Sequence, residues 1–231
     1  MKKAWLFAIG GIIIVFAIGV AWFFFQHRAS APQPAEFQSP FVENNSATTS
    51  HSTNVGTSSP SRSAPILPSI AKGDTIASWN FNGAYTDNPE LVAKAEAEIK
   101  RFSDLIGKGT YPDMDLYVSI ANQYELLGNG KREYDFLSRA IGVGGTTTGL
   151  PWHNLGVLME RLDALQTARM AYEKATLVQP ELKQWHYAYL AFLTSYMKGD
   201  AADIEKAFAA AEKNIGQDSD ILQLYSEWKQ S

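Results

Sequence analysis

Residues 149–180 constrain the fold more than any other part of the chain. Trp152 is followed by Leu155, Gly156 and Met159, then by Ala168, Tyr172 and Ala175, and Pro180 closes the unit. Apolar residues three and four apart make one helical face, so the stretch reads as two antiparallel amphipathic helices. Gly156, Ala168 and Ala175 are small where the helices must approach closely, and Trp152, Leu155 and Tyr172 fill the remaining space. The pattern recurs on both sides. Tyr117 lies 35 residues upstream of Trp152, with Ile120, Ala121 and Tyr124 at the same offsets, Leu127 and Gly128 at the turn, and Leu137 and Ala140 on the second helix. In that copy Glu133 stands where a small residue is expected. Downstream, the turn Lys198, Gly199, Asp200 aligns Ala188, Ala191, Phe208 and Ala211, whereas Trp185 and His186 echo Trp152 and His153 at a spacing of 33. The two alignments differ in register by about three residues. One helix pair cannot bury its apolar face alone, so recurrence implies stacking.

These residue types and spacings resemble the tetratricopeptide repeat, a helix-turn-helix unit of about 34 residues. Met159 departs from the family, which usually has tyrosine there. The resemblance covers roughly residues 113–215 and implies an all-α fold: a right-handed α-solenoid of about three helix pairs, at about 114–147, 149–182 and 185–216, flanked by capping helices. Asp218 or Ser219 caps the final helix, 218–229, which carries Ile221, Leu224, Tyr225 and Trp228. Family members bind peptides or protein segments in a concave groove lined by the first helices and perform no chemistry. By offset from Trp152 the groove side carries Leu150, His153, Asn154, Val157, Glu160 and Arg161. The first unit adds Asp115, Val118, Ser119, Asn122 and Glu125, and the third adds His186, Tyr189 and Leu193. The implied partner is therefore a protein or peptide. The family's clamp for a terminal carboxylate needs converging lysines and an arginine; only Arg161 is present, so that activity is not expected.

Before the repeats, the helical domain is expected to begin near Thr75 and run to the end of the chain, 75–231. Asn88, Pro89 and Glu90 form a helix start, with a capping side chain, a proline at the first position and an acid facing the helix dipole. Leu91, Ala95, Ile99, Phe102 and Ile106 continue as an apolar stripe until Gly107 and Gly109 stop it. Glu90 with Lys94, and Glu96 with Lys100, stand at ion-pair spacing. Trp79 and Phe81 are expected to plug the first helix pair.

Residues 29–74 read as a disordered Ser/Thr/Pro-rich linker whose few apolar residues cannot offset the entropy of ordering the rest. Asn44, Asn45 and Ser46 make a glycosylation sequon within it. Residues 1–28 read as a signal anchor. The 22 residues 4–25 carry no charge, and as a helix they reach ~33 Å, enough for a hydrocarbon core of ~30 Å. Lys2 and Lys3 outweigh Arg28, which keeps the N-terminus cytoplasmic and the domain extracytoplasmic. The competing reading is a cleaved signal peptide ending at Ala29, Ser30 and Ala31, which leaves a secreted binding protein.

Composition removes other classes. The chain has no cysteine, hence no disulfide, thiolate metal site or cysteine nucleophile. Residues 73–231 hold 15 bases against 22 acids, a poor surface for nucleic acid. Residues 142–146 are glycine-rich but lack a phosphate-binding lysine. Asp113 with Asp115, and Asp218 with Asp220, sit at helix starts, where acids serve as caps; an envelope hydrolase built on the first pair is a lesser alternative. With His153 and His186 as the only histidines past the linker, no metal, cofactor or small-molecule substrate is expected. The sequence thus predicts a membrane-tethered binding scaffold rather than an enzyme.

Overall fold

The computed structural model describes residues 68–231. The expected membrane anchor, and the linker as far as residue 67, lie outside the described residues. Within them the protein is all-helical, with eight helices and no strand. These are α1 (Pro89–Ser103), α2 (Asp113–Leu126), α3 (Gly130–Gly144), α4 (Leu150–Arg161), α5 (Leu165–Val178), α6 (Lys183–Tyr196), α7 (Ala201–Ile215) and α8 (Ser219–Gln230). None is long and apolar enough to cross a membrane.

Helix starts follow local chemistry. The Asn88 side chain accepts from the backbone N–H groups of Glu90 and Leu91, and the Asp218 carboxylate accepts from those of Asp220 and Ile221, so two caps expected from sequence are made. Helix α1 ends at Ser103, four residues before Gly107, and its last turn is held by a Lys100–Asp104 ion pair at 2.6 Å rather than by Glu96.

Packing is between near neighbours along the chain. Helix α1 lies on α2, and so on in order to α6 on α7, with the closest pairings α2 with α3 and α4 with α5; α8 packs on α6. The core runs through these contacts as Ile120, Leu137, Leu155, Leu158, Met159, Ala168, Leu190, Leu193 and Ile204, all at most 1% exposed. Gly156 shows why a side chain is excluded at the α4/α5 crossing: a Cβ there would lie 2.8 Å from the Tyr172 ring. The Trp152 indole donates to Gly145 O at 2.7 Å and Trp185 to Gln179 Oε1 at 3.3 Å. Each tryptophan thus secures the turn before its own helix, which favours the register that aligns Trp185 with Trp152.

Residues 68–88 form a strap across the α2/α3 and α4/α5 turns, and residues 68–74, expected to belong to the linker, are part of it. The Asp74 carboxylate accepts from Thr167 N at 2.7 Å, Thr167 Oγ1 at 2.6 Å and Gln166 N at 3.2 Å. It thereby caps α5, whose own N-cap position, Ala164, supplies no side-chain acceptor. Ala71 N donates to Thr167 Oγ1 at 2.9 Å, and the Tyr134 hydroxyl donates to Pro68 O. Further along, Gly130 N donates to Trp79 O at 2.8 Å, Phe81 N to Gly128 O at 3.0 Å and Tyr85 N to Leu126 O at 2.9 Å. Backbone meets backbone here because glycine allows it: a Cβ on Gly128, whose φ is 71°, would lie 2.0 Å from Phe81 O, and one on Gly83 would lie 2.3 Å from Gly128 N. Trp79 packs on Tyr134 with ring centroids 5.3 Å apart. Ile70, Ile76, Trp79 and Phe81 all rest against the core, so the plug expected of Trp79 and Phe81 is one section of a longer brace.

Candidate functional site

Helices α2, α4 and α6 are the first members of three successive pairs, and they carry the residues assigned to the groove. On α4, positions three and four apart share a face, which places His153, Asn154, Val157, Glu160 and Arg161 on one side of the helix. Asn154 Nδ2 donates to Asn122 Oδ1 on α2 at 3.2 Å. Two turns further along α4 and about one along α2, Arg161 pairs with Glu125 at 2.9 Å. Four of the assigned residues thus meet as two cross-helix pairs along the α2/α4 seam. Arg161 also lies over the Phe81 ring of the strap, 4.6 Å from its centroid.

The α4/α6 seam is aromatic. His153 stands 5.0 Å from Trp185 and 5.6 Å from Tyr172, Tyr172 5.2 Å from Phe192, and Phe192 5.5 Å from Tyr196. The Tyr172 hydroxyl donates to Glu160 Oε2 at 2.8 Å, and burial, with the Glu160 charge second, pushes that phenol up. His153 Nδ1 is shielded and has no hydrogen-bond partner; burial pushes the imidazole down to about 4, so it is neutral at physiological pH.

Other assigned residues point inward. Val118, Tyr189, Leu193 and His186 are buried, Leu193 completely, so they present no surface to a partner. His186 Nε2 contacts Pro180 O at 2.7 Å. The offset rule fails on α6 because this helix is covered by α5, α7 and α8, which leaves it less free surface than α2 or α4. Asp115 and Ser119 are half-buried on α2, where Ser119 Oγ donates to the Asp115 backbone carbonyl. Leu150 is half-buried at the first turn of α4. Sequence reasoning missed Tyr196, 51% exposed; its signal was the spacing Tyr189, Phe192, Tyr196, which continues the α6 stripe to the end of the helix.

Glu133, anomalous in the sequence, is 3% exposed and one of its carboxylate oxygens has no partner. Burial, reinforced by the Glu125 charge, raises its pKa well above the ordinary carboxylate range, against a weaker opposing pull from Arg161.

Two of the acids weighed for chemistry make contacts within the fold. Asp113 accepts from Gly107 N at 2.8 Å, and Asp218 both caps α8 and pairs with Lys183 at 2.7 Å. Among the described residues no three His, Asp or Glu side chains stand together as a metal site. Two open concavities lie elsewhere: one of about 400 Å³ beside Tyr111, Met114 and Val143, and one of about 410 Å³ beside Arg169, Asp200 and Asp203. Neither is lined by an assigned groove residue. No family model, curated protein or solved structure matches this chain.

Proposed function

We propose that residues 113–215 form a tetratricopeptide-like right-handed stack of helix pairs, and that its first-helix face holds a peptide or protein segment. In this reading the protein is a single-span scaffold with a cytoplasmic N-terminus, its helical domain carried outside the membrane on a linker to gather a partner at the cell envelope. The observation that carries the proposal is the register of α2 against α4. Asn122 with Asn154, and Glu125 with Arg161, bring equivalent faces of two successive first helices side by side, the arrangement from which a continuous binding face is built. Amide side chains on such a face hydrogen-bond an extended backbone, and apolar neighbours such as Val157 receive side chains. The cap made by Asp218, the loop contact made by Asp113 and the neutral, enclosed His153 support a binding role over a catalytic one.

Co-purification of the tagged full chain from detergent-solubilised membranes tests this. Asn122→Ala combined with Asn154→Ala should lower recovery of the partner by about tenfold, the scale of losing one or two interface hydrogen bonds. Lys174→Ala combined with Leu177→Ala, both exposed on α5, should leave recovery unchanged. Equal recovery from the first double variant and the wild type would remove the groove.

A further inference from the structure

The two seams between first helices differ in charge balance. Along α2/α4 the acid is answered: Glu125 has Arg161 at 2.9 Å. Along α4/α6 it is not. Among the described residues Glu160 has no cationic side chain within 4.0 Å; it accepts a hydrogen bond from the Tyr172 phenol at 2.8 Å. Asp163, three residues on, is exposed and also lacks an ion pair among the described residues. It occupies left-handed backbone, φ 58°, in the turn that closes α4. Across the seam, Tyr196 stands half exposed and stacks on Phe192. Burial, the nearby Glu160 charge and a hydrogen bond to that carboxylate hold its phenol proton more firmly than usual, with the Asp163 charge adding least.

An accessible phenol ring beside a carboxylate that accepts from neutral phenols and has no cationic partner suits an ammonium or guanidinium group. The ring face attracts the cation through its quadrupole, and the carboxylate accepts its N–H groups in charge-assisted hydrogen bonds. Charge over the wider surface points the same way, because residues 73–231 hold 15 bases against 22 acids. We infer that the α4/α6 seam, built from Glu160, Tyr196 and Asp163, is a subsite for a lysine or arginine side chain, and that the segment bound in the groove is basic. The inference rests on the groove reading above and names the chemistry of its occupant. The chain's own linker is a poor occupant, since Arg62 is the only lysine or arginine in residues 29–70, beside Glu36 and Glu43. A second copy of the acidic domain is repelled for the same reason of charge.

The test places a photo-reactive phenylalanine analogue at Val157, on the Glu160 side of α4, in the full chain in its native membranes, and maps the cross-linked segment by mass spectrometry. The mapped segment should carry a lysine or arginine close to the attachment point. Adding Glu160→Gln keeps an acceptor for Tyr172 but removes the charge, and should lower adduct yield by about tenfold, as expected for one charged hydrogen bond. Raising salt should weaken it in the same direction. Circular dichroism confirms that the variant is folded. A mapped segment without a basic residue, an adduct to a second copy of the chain, or a yield unaffected by Glu160→Gln overturns the inference while the groove stands. No adduct from Val157 or from Asn154 overturns the groove, and the inference with it.

Discussion

Replacing Asp74 by alanine tests the least expected feature of the fold, a helix capped by a residue more than 90 positions away. Asp74 gives α5 three hydrogen bonds, to Thr167 N at 2.7 Å, Thr167 Oγ1 at 2.6 Å and Gln166 N at 3.2 Å. Loss of an N-cap costs about 1 kcal/mol, and loss of a negative charge at the positive end of a helix costs a further ~0.3–1 kcal/mol. Thr167 is 2% exposed, so water cannot fully replace the missing acceptor, which adds about 1 kcal/mol. The expected total is about 2–3 kcal/mol, or a fall in Tm of about 5–10 °C for a domain of this size. Asp74→Asn keeps an acceptor and loses only the charge, so it should cost about 1 kcal/mol. Thermal unfolding of the full chain by circular dichroism measures both variants. Amide exchange at Gln166 and Thr167 should accelerate in Asp74→Ala, while exchange in α2 should change less. A melting curve indistinguishable from wild type, with unchanged exchange at these two amides, would refute the reasoning and return residues 68–74 to the linker.

Other consequences follow from single sites. Gly128→Ala and Gly107→Ala both place a side chain at positive φ, but only Gly128 has backbone in the way. The first should cost about 3 kcal/mol or more and the second about 1 kcal/mol, a contrast readable from denaturant midpoints. Gly156→Ala drives a methyl group into the Tyr172 ring and should cost about 1–3 kcal/mol by the same measurement. Glu133 is raised in the folded state, so folding retains its proton, and stability is lost as pH rises above the unfolded value near 4.5. Glu133→Gln should therefore be more stable than wild type at neutral pH, with an advantage that shrinks towards pH 4; an advantage independent of pH would contradict this. His153 is lowered from 6.5 to about 4, so the unfolded chain takes up its proton first, and stability falls as pH drops from 6.5 towards 4. His153→Phe should reduce that loss, as unfolding curves taken across the window would show.

Legibility from sequence tracked the range of the interaction concerned. The Asn88 and Asp218 caps and the Gly156 crossing with Tyr172 were readable because each is written within a turn or a hairpin, where spacing alone fixes who meets whom. The strap was not. Its partners are backbone groups at Leu126, Gly128 and Gly130 and the first turn of α5, and an extended run with no period gives no hint of where it lands. Gly83 and Gly128 carry a signal only in retrospect, since a glycine needed for close approach resembles one needed for a turn. Among the residues assigned to the groove, Asn122, Asn154, Glu125 and Arg161 were placed by a rule of offsets, and the structure brings them together in pairs, whereas the same rule on α2 named Val118, which is buried. The same rule transferred Tyr189 and Leu193 to the surface, although α6, packed by α5, α7 and α8, has both inside. Glu133 broke the small-residue pattern and proves to be a buried acid, so the mismatch marked an electrostatic feature.

The central claim is that successive first helices share one partner-binding face. A photo-crosslinking scan in native membranes tests it most directly, with the reactive residue placed in turn at Asn122, Asn154 and Val157 on α2 and α4 and at Lys174 and Leu177 on α5. The account predicts adducts to one common partner from the first set and none from the second; adducts confined to α5, or spread evenly over both sets, would contradict it.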